Sequence, residues 1–273
     1  MKIPKPKIKG AEHYSEGQLN YLQRKKLYQF GITWGRILFL FSFLLLWQIA
    51  ADKEWIDAFF FSSPIDITRL FVDKLLNLEL LHHIGITLME SGISFLLIIL
   101  LSLITASCFW YFPSVGKMFE PFLILLNSLP KSALAPLIIV WMGTGYPTII
   151  LCGISVGLFG CILNLYQTFQ QTDPERLKLI TTLGGNKFQA FTKVVFPGSL
   201  PAFISISKVN IGLALVGVII GEFLAGKQGL GYLIIYGSQV YQLNLVILSI
   251  LILCAIAVLL YGIMNIIEKR LKC

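Results

Sequence analysis

The sequence predicts an all-α, polytopic membrane protein with about six transmembrane helices and one polar, amphipathic loop between two of them. Three observations lead there. Hydrophobic residues make up 56% of the 273 residues and charged residues 13%, against about 25% charged residues in a soluble domain. Several apolar runs reach the ~20 residues that a bilayer crossing requires. Lys and Arg are spread unevenly over the segments that join those runs.

The elements follow in order. Residues 1–34 are a basic N-terminal segment that opens K-I-P-K-P-K-I-K-G. Alternating Lys and Pro disfavour a packed core, which predicts a mobile start. A helix is expected from Ser15, with Arg24, Lys25 and Lys26 near anionic headgroups. The basic stretch is too long for a signal peptide, and no small-residue cleavage site follows it. Residues 35–273 form the membrane domain. Its first span, Ile37–Ala51, is short, and Trp34 and Trp47 extend it into the interfaces, where indole rings are favoured. The segment Asp52–Ile86 carries Ser63 as an N-cap, Pro64 at the first helical position and Asp66 in the first turn. Ile67, Leu70, Phe71 and Leu75 at helical spacing predict a surface helix there. The second span is Thr87–Tyr111. The third, Phe119–Met142, is interrupted by Pro130 and Pro136. The fourth is Pro147–Phe169, the fifth Pro201–Leu224 and the sixth Leu245–Ile267.

Positive charge orients these spans. With the N-terminus inside, sixteen Lys and Arg fall in the inner segments and four in the outer ones: Lys53, Arg69, Lys74 and Lys227. Both termini are therefore expected in the cytoplasm of a multi-pass protein of the cell membrane. The net charge of +8 is mostly this signal. Its dispersal over separate loops argues against nucleic-acid binding. Cys108, Cys152, Cys161, Cys254 and Cys273 make neither a metal-type pair nor a disulfide framework. His82 and His83 lack further ligands and read as interfacial residues, so no metal is expected. No clustered His/Asp/Cys constellation suggests an enzyme, and no G-x-x-x-x-G-K-[ST] loop suggests ATP hydrolysis by this chain.

The most informative stretch is the polar island 173–197. Asp173 is placed to cap a helix, with Pro174 first inside it and Glu175 near the positive end of its dipole. Leu177 and Ile180 share a face. Gly184 sits where a left-handed terminator is needed. Asn186 is placed to cap a second short helix with Phe188, Phe191, Val194 and Val195 on its apolar side. Pro197 and Pro201 are expected to stop that helix and turn the chain into the fifth span. Such an element either docks into a partner or lies as a hairpin on lipid.

Other residues carry open alternatives. Lys208 inside the fifth span should not face lipid, since a charge at mid-bilayer costs about 2.5–3.5 kcal/mol. With Ser205 and Gly212 it either lines a pore or snorkels to the inner interface. Pro130 and Pro136 make either a gate or a static packing kink. Glu222 reads as a hydrogen-bonding residue at the outer mouth, because no partner acid, base or nucleophile is spaced with it.

The spacing from Gly184 to V-V-F-P, ending at Pro197, resembles the cytoplasmic signature of permease subunits of bacterial ATP-binding-cassette importers. That signature reads Glu-Ala-Ala, three residues, Gly, nine residues, Ile-x-Leu-Pro. Here Lys178, Leu179 and Ile180 replace the Glu-Ala-Ala, Val194 the Ile and Phe196 the Leu. S-S-P-I-D at 62–66, H-I-G-I-T-L at 83–88, N-S-L-P-K-S-A-L-A-P-L-I-I-V-W-M-G-T-G at 127–145 and G-E-F-L-A-G-K-Q-G-L-G-Y-L-I at 221–234 are similar to the nitrate, sulfonate and taurine branch, which includes pyrimidine-precursor importers. The resemblance covers nearly all the chain beyond residue 33. It implies a coupling-helix loop at 173–197, in which Asp173, Glu175, Lys178, Gly184, Phe188, Phe191 and Pro197 meet a dimer of cytoplasmic ATP-binding subunits. It implies a translocation path formed with a second permease copy, involving Pro130, Pro136, Ser205, Lys208 and Gly212, and an extracytoplasmic substrate-binding protein. No cofactor is expected on this chain, ATP being used by the partner. The implied substrate is a small nitrate-, sulfonate- or taurine-like anion, or else a pyrimidine of the thiamine-precursor kind. A secondary transporter would want paired intramembrane carboxylates, in which the spans read as poor.

Overall fold

The computed structural model describes residues 16–271. The mobile start expected before residue 16 and the terminal Cys273 lie outside them. Every regular element among the described residues is a helix. They fall into two compact units, one ending at Thr68 and the other beginning at Arg69.

The first unit holds α1 (Glu16–Asp52), α2 (Ala58–Phe61) and the start of α3 (Pro64–Leu76). In α1 the stretch Leu27–Asp52 is long and apolar enough to cross a membrane. It exceeds the expected Ile37–Ala51 because Gly31, Thr33 and Gly35 dilute the apolar run without ending the helix. The Thr33 hydroxyl simply turns back on the Gln29 carbonyl at 2.9 Å. The start of α3 is the expected one: the Ser63 hydroxyl accepts the Asp66 N–H at 3.1 Å and donates to its carboxylate at 2.7 Å.

The second unit is built on α4 (Glu79–Tyr111), α7 (Tyr146–Gln170) and α10 (Phe196–Ala225), which pack on one another. Small residues let them approach. A Cβ at Gly217 would lie 2.8 Å from the Cys152 carbonyl oxygen and from Gly153 Cα, and one at Gly221 would lie 2.9 Å from Ile149 Cα. The pair reads G-x-x-x-G, the spacing that lets membrane helices touch backbone to backbone. Ser94 and Ser102 of α4 donate across to the Ile150 and Leu158 carbonyls at 3.2 and 3.4 Å. One apolar core gathers Ile98, Leu165, Tyr166 and Phe169. A second joins Leu80 and Leu215 to α11 (Leu230–Gln239) and α12 (Leu243–Leu271).

Two expectations need correction. The third span is not one kinked helix. It is α5 (Pro113–Ser128) and α6 (Lys131–Met142), set at 96° to each other. The break falls at Leu129–Pro130, where both residues are extended. Pro136 does not end α6, which runs through it from Lys131 to Met142. Lys131 closes the break: its ammonium donates to the Leu126 and Asn127 carbonyls at 2.5 and 2.9 Å, which α5 leaves free. Among the described residues five helices can each cross a membrane, or six spans if the bent pair counts as one.

The second correction concerns Pro197 and Pro201, which do not stop a helix. Lys187–Ala225 runs on as α9 (Lys187–Ala190), a π-helical turn (Phe191–Val195) and α10. The Phe196 N–H reaches back five residues to the Phe191 carbonyl. That wider turn absorbs the missing N–H of Pro197 without ending the helix.

Candidate functional site

The island 173–197 folds as a self-capped pair of short helices. The Asp173 carboxylate accepts the Glu175 N–H at 2.9 Å and lies 3.7 Å from Arg176, which starts α8 (Pro174–Thr182). Gly184 ends it with φ +79°; its N–H reaches the Thr181 carbonyl at 3.0 Å, and the Gly185 N–H reaches that of Ile180 at 2.8 Å. This is the left-handed helix end that glycine favours. Asn186 and Gln189 then form a reciprocal capping box at 2.8 and 2.9 Å. The Lys187 ammonium donates to the Tyr111 carbonyl and lies 5.0 Å from the Tyr111 ring, which holds the element on the end of α4.

With its polar backbone groups so satisfied, the element leaves apolar side chains outward. Leu179, Leu183 and Phe188 are 59%, 74% and 64% exposed. Glu175, Lys178 and Pro197 are exposed around them. Phe191 departs from the expected aromatic face. It turns inward, with its ring 5.3 Å from Trp110 and 5.4 Å from Phe169. Leu177 also packs on the core. Leu179 and Leu183 were missed as candidates, although their i, i+4 spacing opposite Leu177 marks a second apolar stripe.

The other end of the bundle holds a buried polar cluster around Glu222, which is 1% exposed and so lies inside the fold rather than lining its surface. Its carboxylate accepts the Thr87 hydroxyl at 2.7 Å and the Gly231 N–H at 2.5 Å. Thr87 in turn accepts the Leu230 N–H at 2.8 Å, and His83 Nδ1 accepts the Gly229 N–H at 2.9 Å. A helix far along the chain is thus capped by side chains of α4 and α10. Gly229 has φ +103°, and a Cβ there would run into the Glu222 carboxyl. The expectation that Glu222 stands without a neighbouring acid is overturned: Glu90 of α4, fully buried, lies beside it. The two are 132 positions apart in sequence, so spacing gave no sign of it.

Lys208 bonds to Asn265 Oδ1 at 3.0 Å, pairs with the Glu268 carboxylate and lies 5.5 Å from the Tyr261 ring, all on α12. The stripe read as Ser205, Lys208 and Gly212 therefore divides. Ser205 and Gly212 are exposed with Val209 and Val216, while Lys208 is turned aside into an ion pair only 12% and 15% exposed. Pro130 and Pro136 are both exposed.

Residues 98–272 match the family model described as "Binding-protein-dependent transport system inner membrane component". An ABC transporter permease of Haemophilus influenzae is 30% identical over 220 residues, covering 80% of this chain and 88% of that one. An aliphatic sulfonates transport permease of Bacillus subtilis is 24% identical, covering 84% and 83%. A formylaminopyrimidine transport permease of Halalkalibacterium halodurans is 27% identical, covering 71% and 77%. Among solved structures, a bacterial ABC transporter that imports alginate matches 93% of this chain and 99% of its own with a TM-score of 0.63 at 16% identity, a likeness of fold.

Proposed function

The chain belongs to the family of binding-protein-dependent transport system inner membrane components, the permease subunits of ATP-binding-cassette importers, and on that premise we propose how it couples and what it carries. It is a multi-pass, non-enzymatic transport component, and its family works with ATPase and substrate-binding partners. In our reading 173–197 faces the cytoplasm, as do both termini. Leu179, Leu183 and Phe188 enter a cavity on a cytoplasmic ATPase, and Glu175 and Lys178 border the contact. Closure of an ATPase dimer on ATP moves α8, and the continuous helix from Lys187 to Ala225 carries that motion into α10. A second copy of the chain completes the path, with the exposed stripe at Ser205 and Gly212 toward it. The path carries a small sulfonate- or taurine-type anion delivered by an extracytoplasmic binding protein; the formylaminopyrimidine relative supports a heterocycle instead.

The observation that carries the coupling role is the outward apolar triad on a helix pair whose caps are all internal. An interfacial hairpin would need no such separation from the bundle's own core. Co-purification of the ATPase with the membrane subunit tests it. Leu183→Asp with Phe188→Asp should abolish co-purification while the subunit still inserts. Undiminished ATPase recovery from the double variant would return the element to lipid.

A further inference from the structure

α11 begins on three successive N–H groups, those of Gly229, Leu230 and Gly231, and each is bonded by a side chain from another helix. The Glu222 carboxylate accepts the Gly231 N–H, the Thr87 hydroxyl accepts that of Leu230, and His83 Nδ1 accepts that of Gly229 at 2.9 Å. The three acceptors differ in how they meet a proton. A hydroxyl keeps its lone pairs, and a carboxyl group that gains a proton still accepts through its other oxygen. An imidazole that accepts at Nδ1 carries its one proton on Nε2, and a second proton can go only to Nδ1. There it would point at the Gly229 N–H, donor against donor. It would also add a positive charge at the end of α11 where the helix dipole is already positive. His83 is 8% exposed and Gly229 is buried, so the displaced N–H is left without an acceptor in place.

The charged and titratable groups that face the imidazole are Glu79 and His82 of α4, Lys74 of α3 and Tyr232 of α11, whose ring stacks on it with centroids 6.2 Å apart. Glu79 is already paired with Lys74 at 2.6 Å. Glu222, the acid that α10 brings to this cluster, is engaged by Thr87 and Gly231. Between α10 and α11 the chain crosses only Gly226 to Gly229, with Lys227 and Gln228 exposed.

We propose that His83 is a proton-sensitive latch: with the ring neutral it holds the loop 226–229 against α4, and a proton taken up at Nδ1 releases Gly229 and frees that loop. The released loop accommodates a proton that the latched one refuses, so acid favours release and rising pH restores the latch. The inference rests on the permease reading only for calling this end outward-facing, where acid outside the cell would loosen the surface offered to an extracytoplasmic binding protein.

The test is hydrogen–deuterium exchange of the full chain in lipid nanodiscs, with exchange in each segment referred to the unfolded chain at the same pH. Segment 226–231 should be protected at about pH 8. At about pH 5, across the range in which histidine ordinarily changes charge, its protection should fall about tenfold or more. His83→Gln supplies an acceptor that takes no proton, so its protection should hold at both pH values. His83→Phe, a flat ring with no acceptor, should be poorly protected at both. The exposed His82→Gln should respond as the unaltered protein does, and it keeps the test decisive if a His83 variant does not fold. The latch is overturned if the unaltered protein is equally protected at both pH values, if His83→Gln loses protection in acid as the unaltered protein does, or if His82→Gln abolishes the response. ATPase co-purification is untouched by any of these results, so failure of the latch is separable from failure of the permease reading.

Discussion

The two ends of the bundle handle the same problem, polar groups beside a membrane, in opposite ways. Around Glu222 the polar groups are drawn inside and bonded between elements: Thr87 and His83 of α4 hold the N–H groups of Gly229 and Leu230, which lie next to α11 in the chain or inside it. Around Gly184 every cap is local, Asp173 to Glu175 and Asn186 to Gln189, and the apolar side chains face outward. The first arrangement makes one sealed body of α4, α10 and α11. The second leaves α8 fixed internally yet joined to the rest through few anchors, of which Lys187 on the Tyr111 carbonyl is one. Cross-bonding serves rigidity, and self-capping leaves a face free for a partner.

That contrast is broken most sharply in the packed centre. Gly217→Leu must part α10 from α7, since its Cβ alone meets backbone at 2.8 Å. Overpacking costs about 1–3 kcal/mol where side chains can yield, and more where two backbones must separate. No monodisperse protein should elute in size-exclusion chromatography. Recovery of a folded variant would mean that the helices are not locked there.

Glu222→Ala comes next. It strands the Thr87 hydroxyl and the Gly231 N–H, each buried, at about 1–3 kcal/mol apiece. We expect a loss of about 3 kcal/mol in unfolding measurements, with Glu222→Gln retaining part of it. An unchanged midpoint for Glu222→Ala would show that the sealed end is not sealed by this carboxylate.

Lys208→Leu is smaller. It removes the Lys208 cation from beside the Glu268 carboxylate, whose side chain is 15% exposed. Breaking a fully buried pair costs about 3–5 kcal/mol, so for this partly exposed one about 2 kcal/mol is expected. Lys208→Leu with Glu268→Leu should recover most of that loss. If the single variant is as stable as the unaltered protein but transports poorly, Lys208 acts on the path and not as the tie to α12.

Much of the local structure was legible because its causes are local. Ser63, Asp173, Gly184 and Asn186 act within a few residues, and each does in the fold what its spacing implies. The apolar runs mark the spans for the same reason. What was not legible depends on meetings across the chain. Nothing near Glu222 points to Glu90, and nothing near Lys208 points to Glu268. The bend at Leu129–Pro130 depends on Lys131 reaching backward to two carbonyls, which no pattern rule requires. Phe191 was misplaced because the rings that receive it, Trp110 and Phe169, come from distant parts of the chain.

The smallest predicted effect separates two adjacent glycines at the self-capped end. Gly184 adopts φ +79°, but a Cβ there would meet nothing within 4 Å. Its replacement therefore pays only for the left-handed backbone, about 1 kcal/mol for an ordinary side chain. Asn tolerates that conformation, so Gly184→Asn should be close to neutral, while Gly184→Val should tilt α8 against α9. Gly185 is the converse: a Cβ would lie 2.5 Å from Ile180 Cγ2 and 2.9 Å from its carbonyl oxygen. Gly185→Ala should thus push on the acceptor that closes α8, and disturb the loop more than Gly184→Asn does. Both lie outside α4, α7 and α10, so global unfolding should barely move. The effect belongs in the reconstituted complex, with ATP hydrolysis and uptake measured together. Gly184→Val and Gly185→Ala should hydrolyse ATP with less uptake per ATP, and Gly184→Asn should not. Equal coupling in all three would mean that the angle between α8 and α9 does not transmit motion, whatever the outward triad binds.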